Sequence, residues 1–148
     1  KSPDYKHDEA KNKKGSNRAI NRHKWCKIEL EKRLKSSNKI ESLVFNSLKK
    51  LISIRKCQPA FHPNATQFTL QWDGCFFGIW RQSLDKKQSI FSVTNVTNIF
   101  QYLDLTELNL IESENWWELI NNLEIEDIKS IITLKAYQTV WISNFKKP

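Results

Sequence analysis

Two arginines, an asparagine and a histidine crowd into the segment Arg18-Ala19-Ile20-Asn21-Arg22-His23-Lys24-Trp25, which carries almost no core-forming side chains. Arginine offers a fixed fork of donors and asparagine an amide that both donates and accepts, a set suited to vicinal hydroxyls or to a phosphate. The plainer reading is an exposed loop, and the residue types alone leave both open. Catalytic machinery is absent elsewhere. There is no Gly-x-Ser-x-Gly elbow, no Gly-rich phosphate loop and no His-Glu-x-x-His. His7, His23 and His62 are too dispersed for a metal-ligand signature, so neither a metal nor a cofactor is expected.

Several other residues invite a functional reading and a blander one. Cys26, Cys57 and Cys75 are odd in number and never form Cys-x-x-Cys, which argues against zinc or a disulfide framework. Cys57 and Cys75 flank apolar positions and read as small buried hydrophobes; such usage suits a reducing cytoplasm. Glu112, Glu114, Glu118, Glu124, Glu126 and Asp127 cluster, and a solvated acidic loop explains them. Trp116-Trp117 could form a sugar platform, against the packing alternative in which one ring fills the core and the other covers a loop. Asn64-Ala65-Thr66 and Asn95-Val96-Thr97 match the glycosylation sequon, a pattern common by chance.

The elements that must position these groups change character along the chain. Residues 1–24 are polar and lysine-rich, too poor in apolar groups to fold alone. Trp25 to Leu34 supports a short helical turn. Asn38 with Glu41 predicts a capping box. It opens a helix in which Ile40, Leu43, Val44, Leu48, Leu51 and Ile52 form one stripe, with Ser42, Asn46, Lys49, Lys50, Ser53 and Lys56 mostly opposite. Pro59 ends that helix. From Thr66 the period becomes that of strands: 66–72, a hairpin at Asp73-Gly74, then 75–82, 89–96, a weaker strand near 100–105, and finally 130–134 and 139–142. Asn115 to Ile120 reads as a turn. Short strands joined mostly by hairpins argue for an antiparallel sandwich.

Composition narrows the class. The 148 residues carry a net charge of +8, 39% apolar residues and no Met. That apolar share supports a modest core. A Met-free chain opening Lys-Ser-Pro is expected to be a processed product or an internal piece. No apolar run is long enough for a membrane span. Residues 1–58 hold 17 of the 24 Lys and Arg but only 6 of the 16 Asp and Glu. Those lysines are scattered, without an aromatic ladder for stacking bases, so no nucleic-acid partner is expected.

The polar segment also carries a resemblance. Asn17-Arg18-Ala19-Ile20-Asn21-Arg22-His23-Lys24-Trp25 resembles the Gly-Arg-Asp-Ile-Asn-Arg-His segment of sucrose phosphorylases and their relatives in glycoside hydrolase family 13. The likeness continues in Ile54 to Phe68, in Phe77-Gly78-Ile79-Trp80-Arg81-Gln82-Ser83, in Gln88-Ser89-Ile90-Phe91, and in Tyr137-Gln138-Thr139-Val140-Trp141-Ile142. It covers nearly the whole chain in order, and is nearest the branch holding sucrose and glucosylglycerate-type phosphorylases. The resemblance implies a (β/α)8 barrel followed by a C-terminal β-sandwich, with this chain starting just after the eighth barrel strand. Residues 1–58 would supply the rim loop and eighth helix, and residues 59–148 the sandwich. The catalytic carboxylates of such a retaining enzyme would lie before Lys1, leaving none here. Arg18 matches the arginine that contacts the donor sugar. Asp4 matches the aspartate of an upstream Asn-Asp step, while Asn21, Arg22 and His23 match positions that brace the loop. Pro3, Ala19 and Cys26 depart from the family's Asn, acid and Asp.

The expectation is therefore an α+β piece: the last loop and helix of a barrel, then a small antiparallel sandwich. It would be an inactive part of a phosphorylase that uses a glucosyl sugar and inorganic phosphate in the cytoplasm. The alternatives are a carbohydrate-binding or structural β module, or the tail of an α-glucoside hydrolase. A helix stripe without its barrel would leave Leu43, Leu48 and Ile52 in solvent.

Overall fold

The computed structural model of the chain describes residues 25–72 and 74–145. The chain divides into two compact units, residues 1–48 and 49–148.

In the first unit, α1 spans Lys27–Lys35 and α2, Ile40–Lys56, begins. Residues four apart on α1 pair Lys27 with Glu31 at 3.9 Å and Arg33 with Glu29 at 3.0 Å, spacing that supports a short helix. None of the residues of α1 is buried, so these ion pairs and its basic last turn are the main local reasons it is helical. The predicted capping box does not form. α2 starts one residue too late for it, the Asn38 side chain accepts from the Ser37 hydroxyl, and Glu41 is taken by Arg33 Nη1 at 2.8 Å. The Glu41 backbone N–H and Arg33 hold the Glu41 carboxyl below the usual carboxylate range.

The second unit opens with the last turns of α2 and a 3-10 turn at Pro59–Phe61. The strands then run β1 (Thr66–Leu70), β2 (Phe76–Gln82), β3 (Ser89–Asn95), β4 (Gln101–Asp104), β5 (Trp116–Glu118), β6 (Leu123–Ile125), β7 (Ile131–Leu134) and β8 (Thr139–Ser143). A second 3-10 turn, Leu105–Leu108, follows β4. Six strands form one sheet in the order β1-β2-β3-β8-β5-β6, and β4 pairs with β7 in a second; every pairing is antiparallel. This is the small sandwich that the alternating pattern predicts.

Strand β3 explains why simple alternation is hard to read here. Its Phe91 and Val93 turn to one face and join Leu103, Leu134, Val140 and Ile142 in the main core. Its Ile90 turns to the other face and packs with Ala60, Leu119 and the partly buried Ile54, Phe61 and Trp141. The large sheet is thus covered on both sides, by the small sheet and by the segment that leads out of α2. The segment 115–120, expected to be a turn, holds β5 at Trp116–Glu118, whose Trp117 pairs with Ser143 and with Glu124, and turns only at Leu119–Ile120. At the end of β3, Asn95 is fully buried. Its amide donates to Ile99 O at 2.7 Å and Lys135 O at 2.9 Å, fastening the β3–β4 turn to the β7–β8 turn.

Candidate functional site

The predicted substrate-binding residues Arg18 and Asp4, and the loop-bracing Asn21, Arg22 and His23, lie outside the described residues. The structure does bring together the other segments that carried the resemblance. Gln88, only 2% exposed, stands at the centre. Its Oε1 accepts from Ala60 N at 2.9 Å, and its Nε2 donates to Gln58 Oε1 at 2.6 Å and to Ser143 Oγ at 3.1 Å. Arg81 completes the lock from β2. Its guanidinium donates to Ala60 O at 2.8 Å, His62 O at 2.7 Å and Gln67 Oε1 at 2.6 Å. A primary amide with two faces and a five-donor fork are the side chains that can satisfy an irregular backbone passing over a sheet. Residues 54–68, 77–83 and 88–91, together with Ser143 just past the segment 137–142, therefore form a polar lock between sheet and linker. This role lies within the resembling segments but is invisible to a search for catalytic types.

Beside the lock, Ile52, Arg55, Gln58, Pro59, Phe61 and His62 line an open cavity of about 480 Å3. Arg55 lies over the Phe61 ring at 5.9 Å. Among the described residues no three His, Cys, Asp or Glu side chains stand together as metal ligands. No helix there is long and apolar enough to cross a membrane.

Helix α2 turns its faces the opposite way from an ordinary surface helix. Its one buried residue is Ser42, 2% exposed, whose hydroxyl donates to Leu34 O at 2.9 Å and accepts from the Asn46 amide at 3.2 Å. The apolar stripe faces solvent: Leu43, Val44, Leu48 and Ile52 are all half exposed or more. The stripe expected to need a partner is present and uncovered.

Other candidates resolve differently. Trp116 is buried in the main core, and its Nε1 donates to Ile111 O at 3.1 Å; Trp117, on the opposite face of β5, packs against the second cluster. The two rings lie on opposite faces of β5 and form no paired platform; Trp116 fills the core as the packing alternative expects, while Trp117 packs on the second cluster instead of covering a loop. Glu118 is not part of a solvated acidic loop. It is 7% exposed, and its carboxylate accepts from the backbone N–H groups of Ile120, Asn121 and Trp141. Glu112 does stand in solvent, paired with Lys129 at 2.7 Å. The Asn95 sequon is consumed by its buried hydrogen bonds. Cys57, expected to be buried, is exposed, because it sits past the end of α2 where the chain turns toward Pro59; Cys75 is half-buried.

No protein-family model matches the chain. Its fold recurs in solved α-amylase-type structures. AmyP in complex with maltose aligns over 70% of this chain and 21% of its own, with a TM-score of 0.58 at 8% identity. The Anoxybacillus α-amylase aligns over 73% and 23%, with a TM-score of 0.54 at 17% identity. In sequence, glucosylglycerate phosphorylase of Escherichia coli K12 is 29% identical over 131 residues, and that of Allomeiothermus silvanus 32% over 128. The chain's relatives are glucosylglycerate phosphorylases of the glycoside hydrolase family 13 branch. The glucosylglycerate phosphorylase of Spirochaeta thermophila adds a match of 26% over 143 residues. These alignments take in 86–90% of this chain, which in turn spans only about a fifth to a quarter of the relatives' length. The resemblance read from the motif segments agrees with them.

Proposed function

We propose that these residues form the C-terminal part of a retaining, glucosyl-transferring phosphorylase. Residues 1–58 are the rim loop and eighth helix of its barrel, and residues 59–148 are its terminal sandwich. The observation that carries this reading is the inverted α2, which turns Ser42 toward α1 and leaves Leu43, Val44, Leu48 and Ile52 in water. A helix gains from such a stripe only when another apolar surface covers it, and a barrel wall is that surface. The short span relative to glucosylglycerate phosphorylases supports the same view.

In such an enzyme a carboxylate on the barrel attacks the anomeric carbon while a second carboxyl protonates the departing oxygen. The acceptor leaves and a β-glucosyl ester remains. Inorganic phosphate then attacks the same carbon, its proton passing to the second carboxyl, and the ester bond breaks to give α-glucose 1-phosphate. Two inversions retain the α configuration. The contribution of this chain is Arg18 and Asp4 as donor-sugar contacts, with Asn21, Arg22 and His23 bracing their loop. Its three cysteines, free among the described residues, support a reducing compartment such as the cytoplasm.

The test is phosphate-dependent release of α-glucose 1-phosphate from glucosylglycerate and from sucrose. The 148 residues alone should give none, and the complete polypeptide encoded by their reading frame should turn over at least one. Turnover by the 148 residues alone, or a complete polypeptide without a barrel, would overturn the reading.

A further inference from the structure

The end of the sandwich far from the Gln88 lock is apolar, poor in charge and uncovered. Three turns are laced together there. The Val96 N–H donates to Cys75 O at 3.0 Å, the Tyr137 N–H to Thr97 O at 3.2 Å, and the buried Asn95 amide to Ile99 O and Lys135 O. Phe77, Ile99, Phe100, Tyr102 and Tyr137 are each more than half exposed, and Val96 nearly so. No charged residue occurs in 74–80, 88–103 or 136–145, in a chain of which 27% is charged. Single apolar side chains in solvent are ordinary, whereas six gathered at one end of a domain mark a contact surface. Tyr137 sharpens the point. Its φ of 57° is a left-handed backbone that glycine or asparagine adopts at less cost, and the residue is 68% exposed, so the fold gains nothing from a tyrosine there.

We propose that this end is the contact surface of a homodimer, two copies of the chain meeting tip to tip about a two-fold axis. Such an axis sets each residue near it against its own copy, so a charge there would face a like charge. A surface without charges is one that can meet itself. The six side chains offer on the order of 600 Å2, at the upper limit of the patches monomers expose and near the ~800 Å2 per partner of a standard interface. Asn95 fixes the turns before the copies meet, so association has little backbone to order. The position of the patch favours a second copy over a preceding barrel. The chain enters the sandwich beside Gln58 and Gln88, at the start of β3, and the patch lies past Asn95 at the other end, about 20 Å along the strand. The proposal does not depend on the phosphorylase reading.

The test is sedimentation equilibrium on the complete polypeptide, and on the 148 residues carrying Leu48→Glu so that the α2 stripe does not associate. Both should be dimers at micromolar concentration. Phe100→Lys and Tyr137→Asn should each raise the dissociation constant about tenfold or more, and the two together should give monomers. Circular dichroism should show the variants folded as before, because neither side chain is buried and asparagine suits the backbone at 137. Ile99→Lys repeats the test on the same turn should Phe100→Lys not fold. A monomeric complete polypeptide, as when a barrel covers the patch, would overturn the proposal. So would monomeric 148 residues, or a dimer that the folded variants leave intact.

Discussion

Replacing Gln88 with leucine keeps a side chain of similar bulk in a site that is 2% exposed, but removes every hydrogen bond its side chain makes. Two groups are then stranded: the Ala60 N–H and the Gln58 Oε1, whose residue is itself only 5% exposed. Ser143 is not stranded, because its hydroxyl also donates to Phe145 O at 3.0 Å. A buried polar group left without a partner costs about 1–3 kcal/mol, so the pair should cost roughly 2–6 kcal/mol, reduced somewhat by the added apolar burial. A net loss of about 3 kcal/mol lowers the melting temperature of a unit of ~100 residues by on the order of 15 °C. Urea unfolding of the 148-residue chain, followed by circular dichroism and tryptophan fluorescence, should show the midpoint falling with an unchanged slope. Gln88→Glu should be no milder, since it turns a buried carboxylate toward Gln58 Oε1 and Phe145 O. A loss below about 1 kcal/mol for Gln88→Leu would refute the claim that this amide locks the linker to the sheet.

Three further outcomes follow from the same structure. Leu48→Glu on the uncovered stripe should leave the stability of the 148 residues within about 0.5 kcal/mol and raise their solubility, whereas Leu103→Ala in the core should cost about 2–5 kcal/mol; equal losses would mean the stripe is already covered. Gly78→Ala would bring a methyl to 2.0 Å from the Trp72 ring, which is also held by a hydrogen bond from its Nε1 to Glu107. It should destabilise by about 1–3 kcal/mol in thermal unfolding, and a neutral result would show that the ring moves freely. The Asp104 carboxyl is held below its ordinary value by the Thr106 hydroxyl and N–H, and Asp85 likewise by the Ser83 hydroxyl and the Lys87 N–H. A lowered folded-state value means stability present above about pH 4 and lost as pH falls through the folded value. Asp104→Asn should therefore lose less stability than the unaltered chain between neutral pH and about pH 3, and parallel acid profiles would contradict this.

Much of the sandwich is legible in the sequence because strands β1 to β3 and β8 announce themselves through β-branched and aromatic runs ended by turn residues. The helix stripe of α2 is equally plain. What sequence hides is the double covering of the large sheet. Trp116-Trp117-Glu118 has no polar face because both sides of β5 are buried, and three residues are too few to show a period. Glu118 looks like a surface acid, since only the fold reveals that three N–H groups need its carboxylate. The capping box fails for a similar reason: Glu41 has a better partner in Arg33, eight residues away and on another helix. Of the candidate site, the sequence offers the polar segment around Arg18 and the likeness that gives it meaning. The lock of Gln88, Gln58 and Arg81 emerges only when distant segments are brought into contact.

The measurement that tests the central claim most directly is the release of α-glucose 1-phosphate from glucosylglycerate or sucrose and inorganic phosphate. It compares the complete polypeptide with the isolated 148 residues under identical conditions. Phosphate-dependent release by the former and none by the latter is the predicted result. Release by the isolated residues, or none by a complete polypeptide that is folded, would contradict it.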